Sequence, residues 1–76
     1  MQDEDFLKLI GGNIARLRKE KGLSQKDLGH IIDMEKSNLS AIENGRQNPT
    51  VLTLKKIAEA IGCEVFELIQ ISSLNT

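Results

Sequence analysis

Lys36, Ser37, Asn38, Ser40 and Ala41 carry the chemistry that stands out in this chain. They offer one ammonium, two hydroxyls, one carboxamide and a methyl group, within six residues. Hydroxyls and carboxamides both donate and accept hydrogen bonds, and an ammonium only donates. Interleaved with apolar Leu39 and Ile42, they fall on the outer face of a helix. Apart from the one cation, Lys36, these side chains are small or polar, and the mix suits a helix that lies against a surface that hydrogen-bonds and is anionic. They do not suggest catalysis. No nucleophile has a base at plausible spacing, and no Gly-rich phosphate loop follows a strand. A single cysteine, Cys63, excludes an internal disulfide, and with a single histidine, His30, leaves no conventional Cys/His zinc set. The expectation is a protein that is not an enzyme, with no cofactor and no metal. His30 reads as a partly exposed bystander.

The elements that must position this face lie in the stretch 24–45. Leu28, Ile31, Ile32, Met34, Leu39 and Ile42 are spaced to give two short helices one buried face each. Ser24 with Asp27 three residues later resembles a capping box. Asp33 stands where the first of the two helices must stop, in a left-handed conformation that a short Asx side chain tolerates. The second runs over about 35–44 and ends before Gly45, a C′ glycine.

Around them, Phe6, Leu7, Ile10, Ile14 and Leu17 predict a helix over 3–21 that Gly22 ends. Gly11 and Gly12 interrupt it, so the helix either starts there or runs through with a weak point; we favour the continuous helix. Thr50 caps a helix over 51–61, with Val51, Leu54, Ile57, Ala58 and Ile61 inward, and Gly62 ends it. A last helix is expected over 64–70. Val65, Phe66, Leu68, Ile69, Ile71 and Leu74 make more apolar surface there than one short terminal helix can hide. Part of it, Phe66, Ile69, Ile71 and Leu74, reads as a homodimer surface. The alternative is that all of it packs onto the first helix through Phe6 and Ile10.

Seventy-six residues make a single domain, 1–76. A chain of this size buries roughly 60 to 65% of its unfolded surface, so association with a second copy would help it. The net charge of −1 argues against an anionic partner when taken alone. Its distribution argues otherwise. All ten Lys and Arg lie between Lys8 and Lys56 with five acids, a local balance of +5. This predicts a dipolar molecule with one basic face, against the alternative of an ordinary mixed surface. No apolar run approaches about 18 residues, so no membrane span is expected. The acidic start MQDEDFLKLIGG is no secretory signal, and a cytoplasmic location is the expectation.

The stretch 24–45 resembles the phage-repressor/Cro-type (xenobiotic-response-element) helix-turn-helix DNA-binding family. The resemblance extends over about 10–69. Ile14-Ala15-Arg16-Leu17-Arg18 and Gly22-Leu23-Ser24-Gln25 look like the family's first helix and junction. Ile42-Glu43-Asn44-Gly45 with Asn48-Pro49 looks like its turn after the recognition helix, and Leu54, Ile57-Ala58 and Ile61-Gly62 look like its fourth helix. The fold this implies is all-α, a compact five-helix lambda-repressor-like domain with the helix-turn-helix at the second and third helices. Three positions depart from the pattern. Gly29 stands where the family usually has Ala, which weakens the helix by about 1 kcal/mol. Asp33 stands where Gly is frequent, and Glu35 replaces a capping Ser, Thr or Asp.

Arg18 and Glu43 sit at the edges of two inward stripes. Inward charges without partners are costly, so the two suggest each other, and the resemblance implies the same ion pair. The alternative is that each side chain reaches water separately. Gln25 starts a helix whose N–H groups and dipole favour an anion, and the resemblance implies that it contacts a DNA phosphate. By the same resemblance Lys36, Ser37 and Ala41 face bases, with Asn38 and Ser40 at the margins, Ser40 toward phosphate. Lys36 can donate to guanine, Ala41 can meet a thymine methyl, and Ser37 can pair with several bases. The alternative for Lys36 is a phosphate contact. Asn44, Arg46 and Asn48 resemble a second phosphate clamp, against the alternative of a plain solvated loop.

The expected partner is double-stranded DNA, bound by a homodimer on a near-palindromic site for transcriptional repression, with no membrane and no small-molecule effector. The competing reading is a protein-interaction module of antitoxin type, its apolar C-terminus holding a partner and DNA secondary.

Overall fold

A computed structural model describes residues 1–71. Over them the chain forms α1 (Asp3–Glu20), α2 (Gln25–Ile32), α3 (Lys36–Glu43), α4 (Val51–Ile61) and α5 (Val65–Leu68). There is no strand among the described residues. The first helix packs on α3, α4 and α5, and α2 packs on α3 and α4. Between them lies one core of Ile10, Ile14, Leu28, Leu39, Ile42, Leu54, Ile57, Ala58, Ile61 and Leu68.

α1 runs unbroken through both glycines. Gly11 is buried, and a methyl group there would collide with the backbone carbonyl oxygens of Ile42 and Glu43 at the end of α3. The helix therefore accepts the lower propensity of glycine in return for a close approach to α3. Gly12 faces open space. Asp3, Glu4 and Asp5 in the first turn and Arg18 and Lys19 in the last complement the helix dipole.

α2 begins on a reciprocal cap. The Asp27 N–H donates to Ser24 Oγ at 2.9 Å, and the Ser24 N–H donates to Asp27 Oδ2 at 3.0 Å. That backbone hydrogen bond, followed by the one from the Ser24 side chain, holds the Asp27 carboxyl below the usual carboxylate range. Asp33 ends the helix at φ 57°, ψ 52°, and Met34 returns its N–H to the Gly29 carbonyl at 2.8 Å. This left-handed residue makes the turn between α2 and α3. Glu35, the residue before α3, supplies no side-chain cap. Thr50 caps α4 through Oγ1, which accepts the Thr53 N–H at 3.1 Å.

The structure corrects several expectations. Ile31, expected inward, is 56% exposed. An eight-residue helix wedged between α3 and α4 buries only a narrow stripe, at Leu28 and Gly29. Val51, also expected inward, is 75% exposed, because α4 meets the core one turn later, at Leu54. The helix expected over 35–44 is bounded by Glu35 and Asn44 as its flanking caps. The last helix is Val65–Leu68 rather than 64–70. It stops because the Leu68 and Gln70 carbonyls turn to the side chain of Asn13 on α1, which donates to both at 3.0 Å.

Candidate nucleic-acid interface

Three helices converge on the carboxylate of Glu43. Arg18 of α1 donates through Nε to Oε2 at 2.7 Å and through Nη2 to Oε1 at 2.9 Å, a two-pronged pair that matches the fork of the guanidinium to the carboxylate. Its Nη1 donates to the Leu23 carbonyl at 2.8 Å, in the junction before α2. Both side chains are withdrawn from water, at 7% and 4% exposure. The hydrogen bond to Glu43 raises the Arg18 guanidinium above its usual value, burial works against this, and the Glu43 charge reinforces it. The pair ties α1 to the C-terminal end of α3.

Gln25 joins the same cluster. Its Nε2 donates to Glu43 Oε1 at 2.9 Å. The side chain is half-buried at the first position of α2. A carboxamide has two N–H groups, so this bond leaves one donor and the carbonyl oxygen for a further partner.

On α3, Lys36, Ser37 and Asn38 are exposed, and Ser40 and Ala41 are half-buried. Because Glu35 provides no side-chain cap, the first N–H groups of α3 meet no capping oxygen among the described residues. Asn44 turns back on its own helix. Its Nδ2 donates to the Ser40 carbonyl at 2.8 Å and reaches Ser40 Oγ at 3.4 Å, so it closes the C-terminal end of α3. Gly45, at φ 74°, then turns the chain and packs against Lys8 of α1. Arg46 and Asn48 beyond it are exposed. His30 is exposed on α2.

At the C-terminus Phe66 is 62% exposed, Ile69 40% and Ile71 52%, while Leu68 is fully buried against the core. The packing of all these side chains onto α1 does not occur. Leu74 lies outside the described residues. Asn13, which anchors this segment, is a residue that the sequence reading missed. The signal was there: Asn13 falls three residues after Ile10 and next to Ile14, on the inward stripe, where a polar group needs a partner.

A helix-turn-helix family model matches residues 14–68, which spans all five helices except the first part of α1. The chain belongs to the helix-turn-helix family of DNA-binding transcriptional regulators. Among the relatives of this helix-turn-helix chain is an HTH-type transcriptional regulator, y4dJ, of Sinorhizobium fredii. It is 46% identical over 65 residues, covering 86% of this chain and 84% of that protein. The immunity repressor protein of Bacillus phage phi105 is 35% identical over 60 residues, 79% of this chain but 42% of the repressor. Among solved structures, the restriction-modification controller protein C.AhdI from Aeromonas hydrophila superposes with a TM-score of 0.77 at 33% identity, covering 84% of this chain and 96% of that one. These relatives are a transcriptional regulator, a repressor and a controller protein.

Proposed function

We propose that the chain represses transcription as a homodimer on a near-palindromic operator, with α3 in the major groove. The observation that carries this is the outer face of α3. Lys36, Ser37 and Asn38 are exposed there, on a helix whose opposite face is fixed by Leu39, Ile42 and the buried Arg18–Glu43 pair. The major groove admits one such helix, and its base edges show a distinct donor and acceptor pattern for each pair. Lys36, Ser37, Asn38 and Ala41 read bases, Lys36 with guanine as its match. Gln25, Ser40, Asn44, Arg46 and Asn48 hold phosphates and set the register of α3. The exposed Phe66, Ile69 and Ile71 supply the two-fold contact. Half-sites then lie roughly 34 Å apart. No helix among the described residues is long and apolar enough to cross a membrane.

Selection of bound sites from random duplex DNA tests the proposal. A near-palindromic site, with affinity falling steeply as salt rises, is the expected result. Recovery of no site, with no salt-dependent binding to any duplex, would favour the antitoxin-like reading, in which the apolar C-terminal face holds a protein partner.

A further inference from the structure

Glu43 is shared between two residues with different roles. Its Oε1 accepts from Arg18 at 2.9 Å and from Gln25 at 2.9 Å. Arg18 neutralises the carboxylate, so the cluster does not place a bare negative charge at the start of α2. Gln25 is held by one of its two amide N–H groups. The reverse orientation of its carboxamide would set the carbonyl oxygen against the carboxylate, two acceptors facing each other with no proton between them. The bond therefore fixes both the rotamer and the orientation of the amide. A glutamine left free would have to surrender that freedom on docking.

We propose that Glu43 is a positioning residue for DNA binding: it presents the second N–H of Gln25 to a backbone phosphate, so that the Arg18–Glu43 pair serves the interface as well as the scaffold. This rests on the assignment of Gln25 to phosphate. It departs from a purely architectural role for the pair, which would leave Gln25 indifferent to Glu43.

The test is a double-mutant cycle read by duplex affinity at fixed salt, on selected and on random DNA. The backgrounds are the native protein and Arg18→Met/Glu43→Leu, an apolar replacement of matching volume chosen to keep the helices packed, with thermal melting as the fold control. In the native background, Gln25→Ala is expected to weaken binding about tenfold, close to the lower end of the range for a hydrogen bond to a charged group. In the apolar background the same substitution is expected to cost about twofold or less, the difference being the coupling between the two residues. An equal loss in both backgrounds would overturn the positioning role while leaving the DNA reading intact. No loss in either would overturn the phosphate assignment of Gln25 and the proposal with it. Failure of the native protein to bind any duplex would defeat the DNA reading itself.

A second measurement does not depend on the apolar background. In the native protein the two Nε2 protons of Gln25 should lie further apart in resonance than those of a solvent-exposed glutamine, since only one of them is bonded to a carboxylate. Added duplex should move the one not bonded to Glu43 the more. A separation like that of an exposed glutamine, or equal movement of both, would contradict the proposal.

Discussion

Gly11 of α1 meets the backbone carbonyl of Glu43 at the end of α3 so closely that there is no room for a methyl group between them. Gly12, the next residue, faces nothing. The same substitution should thus have opposite signs at adjacent positions. Gly12→Ala should stabilise by about 0.5–1 kcal/mol, the propensity difference. Gly11→Ala gains the same propensity but must push α3 away, and overpacking of this kind costs typically about 1–3 kcal/mol. Chemical denaturation of the two variants decides this. A stabilised Gly11→Ala would mean that the contact between α1 and α3 is looser than described.

The Arg18–Glu43 pair should be far more sensitive to the loss of one member than of both. Arg18→Ala or Glu43→Ala leaves a buried charge uncompensated and should destabilise by about 3–5 kcal/mol. Arg18→Met with Glu43→Leu should come close to native stability, since desolvation of the two charges is removed along with their attraction. Equal and small effects of all three, measured by thermal melting, would indicate a wet and energetically minor pair.

Asp27 links stability to pH. Its carboxyl titrates below the usual aspartate value in the folded protein because it accepts the Ser24 N–H and interacts with the Ser24 hydroxyl. A depressed folded value contributes stability above the unfolded value, about 3.9, that is lost as pH falls through the folded one. Asp27→Ala should therefore be less stable than native near neutral pH, and the gap should narrow below about pH 4. Melting curves across the acid range read it directly. A gap that widens on acidification would reverse the sign and refute the assignment.

Lys36 carries the proposed base contact. Lys36→Ala should change preference at one base pair by about 1–3 kcal/mol and leave the others as they were. A uniform drop across all sequences, with a shallower salt slope, would move Lys36 to the phosphate backbone.

Phe66 is exposed on a segment tethered by Asn13, with Ile69 and Ile71 exposed after it. If the proposed homodimer forms through this face, Phe66→Glu should shift the protein from dimer to monomer in sedimentation with little change in its helix content. Binding to a two-half-site operator should fall much more than binding to a single half-site, because the second contact is lost. A native protein that already sediments as a monomer would overturn the homodimer, and a variant that stays dimeric would place its surface elsewhere.

The sequence by itself determined what depends on neighbours a few residues apart. The Ser24–Asp27 cap, the left-handed turn at Asp33, the Thr50 cap and the ends at Gly22, Gly45 and Gly62 are all local, set by backbone geometry and side-chain reach within one turn. Helical periodicity did the same for the core positions Ile10, Ile14, Leu39 and Leu54. Tertiary structure alone decided which side of each helix found cover. It left Ile31 and Val51 in water although their spacing fits an apolar stripe: the short α2 buries a narrower face than its pattern allows, and α4 meets the core only from Leu54 onward. It turned Gly11 from a weak point into the place where α1 and α3 touch, and brought Asn13 to the Leu68 carbonyl, 55 residues away. It also set Gln25 on the carboxylate of Glu43, 18 residues along the chain. Such contacts depend on helix crossing and depth, to which residue spacing within one helix is blind.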